Sequence, residues 1–238
     1  MKKFFYLLLF LLTSVAAFTQ NGKLIGSDGV SSYLYFYDTY GNLIPTADMA
    51  DVNGSPMLKD GWGYGVVKLK NGQQFVDSLM NFSLFENKLF YKKENKVFVL
   101  PYETDEFLIV YKERNNTESK YHFKSGYPDQ GKNTAATFYQ VLYEGANIEL
   151  LDWEVKRIEE HFTYGNVREK DFVYRNLYFL YDKKNKSLVE FPTVAANLAK
   201  KMPLYEAAIK NYLSAHKVNY KVPEQVAQFT AYLDEVNL

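Results

Sequence analysis

The run from Gly61 to Leu100 alternates apolar and polar residues and is interrupted at short intervals by turn residues. A period of two sends one side of an extended chain to a core and the other to solvent, a pattern no helix satisfies. Val66-Val67-Lys68-Leu69-Lys70 runs into Asn71-Gly72, and Phe75 to Phe82 alternates on the far side. Asn-Gly between two such runs is a hairpin signal, because both residues tolerate the positive φ of a tight turn. Polar turns at Glu86 to Lys88 and Lys92 to Lys96 then separate Leu84-Phe85, Leu89-Phe90-Tyr91 and Val97 to Leu100. Pro101 ends the pairing, having no N–H to give.

The same grammar continues on both sides. Phe107 to Tyr111 and Lys120 to Lys124 read as strands around a turn at Glu113 to Glu118. Gly126 to Thr134 is a loop dense in turn residues. Phe138 to Leu142 and Ile148 to Trp153 flank a turn at Glu144 to Asn147, and Phe172 to Tyr181 pairs with Ser187 to Phe191. Upstream, YLYFYD and NLIP form a hairpin around Tyr40-Gly41-Asn42. The charged stretch Val155 to Lys170 fits a strand edge, a helix or a loop equally. Aromatic content of 17%, from 21 Tyr, 18 Phe and 2 Trp, tilts the whole toward strands.

The character changes at Pro192. Thr193 is placed to cap a helix through Val194, Ala195, Leu198 and Lys201. Pro203 opens a second helix, with Leu204, Ala208, Tyr212 and Ala215 sharing a face with Ile209 and Leu213. Pro223 opens a third, with Glu224 at its positive end and Val226, Phe229, Leu233 and Val236 forming one apolar stripe. Strands first and helices last define an α+β chain, mainly β. The expectation is an antiparallel β-meander and hairpin body over residues 20–191. A C-terminal bundle of two to three amphipathic helices, residues 192–238, packs on its sheet.

The first nineteen residues are set apart. Lys2 and Lys3 precede the apolar run Phe4 to Leu12, and small residues follow at Ser14, Ala16 and Ala17. That order is a secretory signal peptide, with cleavage after Ala17 or Thr19. The run is short of the roughly 20 residues a spanning helix needs, which disfavours a retained anchor. No second run approaches that length. The chain has no cysteine, so it has no disulfide, thiol nucleophile or lipidated cysteine. Removing Lys2 and Lys3 from 28 basic residues leaves 26 against 28 acidic, a net of −2. Such a balance carries no field for nucleic acid or an anionic membrane.

Chemistry is sparse. The three histidines, His122, His161 and His216, lie far apart and outside any metal-binding spacing. Glu159-Glu160-His161 is the densest ligand cluster, but neighbours on one element point different ways, so it reads as a solvated face. No G-x-S-x-G and no phosphate-binding glycine loop occurs. Glu103, Asp105 and Glu106 offer carboxylates beside a proline turn and read as solvated. Lys88, Lys92, Lys93 and Lys96 sit at turns and edges, where lysine keeps strands from pairing with strangers. In Gly61-Trp62-Gly63-Tyr64-Gly65, Trp62 and Tyr64 either form an exposed aromatic platform for sugar rings or pack on the core beside a glycine bulge. They are the candidate binding residues. No catalytic residue, metal or cofactor is expected.

The blocks GSPMLKDGWGYGVVKLKNGQQFVDSLMNFSLFENKLFY, FYQVLYEGANIEL, NLYFLYDKKNKSLVEF and VNYKVPEQVAQFTAYLDEV together resemble a recurrent type of exported, β-rich protein of Gram-negative bacteria that carries no assigned activity. The resemblance implies an architecture and a place, and no functional residues. The expected function is therefore a non-catalytic binding or scaffolding protein of the cell envelope, periplasmic or on the outer surface. An envelope protein or a glycan is the expected partner. The alternative is a secreted glycan or peptide hydrolase whose carboxylates come together from distant strands.

Overall fold

A computed structural model describes residues 36–37, 43–44, 51–94, 96–100, 103–163, 165 and 168–236. The signal-peptide stretch lies outside them. Thirteen strands form one sheet. They are β1 (Phe36–Tyr37), β2 (Leu43–Ile44), β3 (Val52–Asn53), β4 (Gly63–Leu69), β5 (Gln74–Ser83), β6 (Lys88–Lys93) and β7 (Lys96–Val99), then β8 (Thr104–Lys112), β9 (Glu118–Lys124), β10 (Tyr139–Glu144), β11 (Ile148–Phe162), β12 (Arg168–Asp182) and β13 (Ser187–Glu190). Three short helices follow: α1 (Leu198–Lys201), α2 (Glu206–Ala215) and α3 (Pro223–Glu235). Among the described residues, no helix is long and apolar enough to cross a membrane.

The strand order is β13-β12-β11-β10-β9-β8-β4-β5-β6-β7-β1-β2, with β3 joined to β12. Most neighbours are antiparallel, but β1 lies parallel to β7 and β3 parallel to β12. Sequence neighbours pair with one main exception. β8 does not follow β7 but returns to the free side of β4, Val67 facing Phe107 and Tyr64 facing Val110. β4 is therefore central, and the hairpins β5–β7 and β8–β13 grow away from it on opposite sides.

Register links Val67, Phe107, Phe123, Gln140, Asp152 and Tyr178 across six strands, so these side chains share one face. The sheet curls toward that face. Phe82 of β5 packs on Phe107 and Phe123 with ring centroids 5.2 and 4.9 Å away, although β4 and β8 lie between β5 and β9. Closure is completed at the β5–β6 turn. There Asn87, at φ 55, accepts from Phe138 N–H (3.1 Å) and donates to Ala136 C=O (3.0 Å). Asparagine tolerates this left-handed conformation better than most residues. Beside it, Leu84 C=O accepts from Lys156 N–H of β11 at 3.2 Å.

Two cores share the inner face. One is the curl itself, built on Val67, Met80, Phe82, Phe107, Ile109 and Phe123. The other lies where the helices cover β10–β13, with Val226, Phe229 and Leu233 of α3 and Ile209 of α2 fully buried on Ile148, Leu150 and Leu180. α3 is fixed by Asp234. Its carboxylate accepts from the backbone N–H of Ala146 (3.0 Å), Asn147 (2.7 Å) and Ile148 (2.7 Å), and from Tyr143 OH (3.2 Å). Burial alone would raise its pKa, but the N–H groups of Asn147, Ile148 and Ala146 win and hold it below the usual value.

Two expectations change, and one open reading is decided. Thr193 does not cap the first helix. The chain enters through a tight turn, Ala195–Asn197, whose cap position is Val194, without a side-chain bond. Leu204 is exposed, and burial falls instead on Tyr205 and Ile209. The reason is the 3₁₀ turn Pro203–Tyr205 before α2, whose three residues per turn shift the angular register. The charged stretch after Val155 is strand: β11 and β12 run on as a hairpin with fifteen paired positions.

Candidate functional site

β11 carries Asp152 and Glu154 on the inner face, one strand repeat apart, between the helical core and the curl. Asp152 is 6% exposed. Asn176 of β12 donates to both of its carboxylate oxygens, 3.1 Å each. Burial, with the Glu154 charge beside it, pushes the Asp152 carboxyl up to about 7. Burial also raises Glu154, whose Oε2 accepts from Tyr174 OH at 3.0 Å. Among the described residues, Glu154 Oε1 is buried with no hydrogen-bond partner. Next on the same face comes Lys156, whose ammonium donates to the carbonyls of Ser55 (2.8 Å) and Met57 (2.6 Å). Burial lowers its pKa against the opposing charges of Asp60 and Glu154. The strand thus holds two carboxylates with strengthened proton affinity beside a desolvated ammonium. Groups perturbed in this way are candidates for a functional site.

On the outer face, Glu149 is buried and meets Tyr127 OH (2.7 Å), Lys183 (3.1 Å) and Lys124 (3.8 Å). Lys124 also holds Glu144 at 2.6 Å. Glu106 pairs with Lys68 (3.1 Å) and His122 (3.1 Å). Burial opposes its ionisation, yet Lys68 and His122 pull its pKa below the usual value. Every charge in this network has a partner, which is the arrangement of a structural ion-pair lattice.

The outer face of the central strands differs. Register places Lys92, Leu79, Tyr64, Val110 and Lys120 in one row across five strands. Val66 and Leu108 lie in the next, beside Val76 where β5 is irregular. Tyr64 is 58% exposed and Val76 60%. Trp62, two residues before Tyr64, is half-buried against the cluster of Met57, Phe90 and Val97. Gly63 and Gly65, on either side of Tyr64, face inward. A Cβ on Gly65 would overlap Met80, and one on Gly63 would overlap Ile109 and the Val110 carbonyl. Their absence of side chains is what lets β4 lie flat on the core while Tyr64 faces out.

Other candidates are distributed. Glu103 is exposed, whereas Asp105 and Glu106 are strand residues of β8 half-covered by Lys68, not the solvated turn expected. Glu159, Glu160 and His161 are exposed on β11 and pair with Arg175, Arg168 and Asp171 across the hairpin. Lys88 pairs with Glu86 at 3.5 Å, and Lys92 joins the Tyr64 row. Among the described residues, no group of three or more metal-ligating side chains converges. Two shallow clefts of about 220 Å³ occur. One lies between the strand ends at Lys70, Leu100 and Phe138, the other beside Trp153, Leu177 and Phe179.

No family model, no curated protein and no solved structure matches this chain.

Proposed function

We propose that this is an exported, non-catalytic binding protein of the bacterial cell envelope, and that it holds an acidic glycan across the outer face of β4. One observation carries the reading: an exposed tyrosine with aliphatic neighbours, flanked on both sides by lysine within one cross-strand row. Lys92 and Lys120 each stand two strands from Tyr64, roughly 10 Å at the usual strand spacing. A flat aromatic face stacks on a sugar ring, and ammonium groups at that distance meet carboxylates on the rings to either side. The clefts support an open surface rather than a pocket. At about 220 Å³ each they are smaller than the roughly 300–1,000 Å³ of small-molecule sites.

The test is calorimetric titration of the chain from Gln20 with oligogalacturonate, against neutral dextran of equal length. The reading expects binding to oligogalacturonate alone, weakened at least tenfold by Tyr64→Ala and made less salt-sensitive by Lys92→Ala. Equal binding to both polymers, or none to either, refutes it. A hydrolase reading has the Asp152–Glu154 pair on its side, since burial raises both carboxyls, Asp152 to about 7, and a carboxyl tuned upward is fit for acid–base work. It expects glycan cleavage that Glu154→Gln abolishes. A chain inert toward a glycan panel removes it.

A further inference from the structure

β12 has fifteen residues, but its edge away from β11 is covered only at the ends. β13 pairs with Phe179–Asp182 and β3 with Lys170 and Asp171. Between them no described strand pairs with β12. Both coverings stop for built-in reasons. Phe191 donates its N–H to Tyr178 C=O at 2.7 Å, and Pro192 follows with no N–H to continue the ladder. β3 ends at Gly54, whose φ of 87 turns the chain away.

The direction of the backbone groups in the gap follows from the register. Lys156 faces Tyr174, and its N–H points away from β12 toward Leu84 C=O. In such an antiparallel pair the opposite residue also points its N–H and C=O away. Tyr174, and by alternation Asn176, therefore present both groups to the open edge. The outward bond of Tyr178 C=O to Phe191 confirms the parity.

The cleft beside Trp153, Leu177 and Phe179 opens on the side of the sheet that carries Leu177. Lys132 and Arg157 line its rim against a single acid, Glu190, and neither is in an ion pair among the described residues. A second copy of the chain does not fit the gap. Its fifteen-residue β12 would run into β3 and β13, which occupy the same lane. The open stretch, at about 3.3 Å per residue, takes about five residues.

We propose that this gap is a β-augmentation slot for a short extended peptide of another protein. The peptide bonds to the backbone of Tyr174 and Asn176, places an apolar side chain in the cleft and sets a carboxylate near Lys132 and Arg157. Main-chain bonds supply the affinity of such a mode, and the pocket for alternate side chains supplies the choice of sequence.

The test uses an array of acetylated heptapeptides in which glutamate alternates with apolar residues, and a matched set with a central proline. Binding is read by calorimetry and by amide hydrogen exchange of the intact protein. The expected result is that at least one alternating peptide binds and slows exchange at Tyr174 and Asn176 at least tenfold. Its proline counterpart does not bind, and Leu177→Lys weakens binding at least fivefold. Tyr64→Ala leaves peptide binding unchanged, which separates this slot from the glycan face. Three results overturn the proposal: slow exchange at both amides in the free protein, no peptide that slows them, or binding indifferent to Leu177→Lys.

Discussion

Asp152→Asn tests what a buried carboxylate does to this fold. Its carboxyl sits at about 7 rather than at its ordinary 3.8. The folded state therefore holds this proton more tightly than the unfolded chain does. Below pH 4 the group is protonated in both states and costs nothing. As pH rises toward 7 the unfolded chain ionises first, and stability falls. Above 7 the full cost is present. At about 1.4 kcal/mol per tenfold, the gap corresponds to about 4 kcal/mol. The residue is 6% exposed, so solvent screening removes little of this. Asparagine keeps the shape and carries no charge, but its amide must re-pair with Asn176, now its donor at 3.1 Å. A net gain of about 2–4 kcal/mol at pH 8 is expected, shrinking to zero or below at pH 4. Urea denaturation of both proteins at pH 4.5, 6 and 8 reads the difference and cancels the titrating groups that do not interact with Asp152; the neighbouring Glu154 is the one coupled to it. A stability difference that does not change with pH, or a variant weaker than its parent at pH 8, refutes the reasoning.

Three further outcomes follow from the packing. Asp234→Ala leaves three backbone N–H groups without their carboxylate, and a loss of about 3–5 kcal/mol is expected by chemical denaturation. Gly145→Ala tests the same clamp from the other side, because its Cβ would overlap that carboxylate; a melting temperature equal to the parent's contradicts the geometry. Phe229→Ala empties the centre of the helical core, where the ring is fully buried and meets Phe191 and Tyr212. A cost of about 3–5 kcal/mol is expected, and one below about 1 kcal/mol would mean that α3 is not held by its apolar stripe.

The hairpins were legible because each is local. Asn71-Gly72 and Glu86-Asn87 lie in turns where the sequence places them, and the next turn, at Glu94, is narrower than the expected Lys92 to Lys96, since Lys92, Lys93 and Lys96 are strand; Gly72, Asn87 and Glu94 have positive φ. Three of the four residues expected in the α3 stripe were legible for the same reason, since Val226, Phe229 and Leu233 obey the helical period and are buried, whereas Val236 lies past the helix end in extended backbone. The return of β8 to β4 was not legible. Pairing between distant strands is decided by which apolar faces fit, and alternation reports a face without naming its partner. The charged half of the β11–β12 hairpin stayed open between strand, helix and loop, because a run of mostly charged residues shows no clear apolar period; its pairing, with Glu159 meeting Arg175 across the strands, appears only in the structure. Asp152 and Glu154 did leave a trace. In LLDWEVK they are carboxylates at alternate positions of a run otherwise apolar up to Lys156, and a charge on the inward period of a strand is the signal that locates such a pair.

The clasp at Asn87 joins two parts of the sheet that lie 49 and 51 residues apart in the chain at its two bonds. Beside it, among the described residues, the Leu84–Lys156 backbone bond joins the end of β5 to β11, whereas elsewhere whole ladders join neighbouring strands. A curled sheet secured this way breathes at its seam first. Transient parting there draws Phe82 and Phe138 off the rings of Phe107 and Phe123 while the β4–β8–β9 ladders stay paired. In native-state hydrogen exchange the amides of Phe138 and Lys156 would then trade with solvent well before those of Val67 and Ile109, at an opening free energy below that of global unfolding. The line along which the sheet meets itself is thus also the line along which it yields.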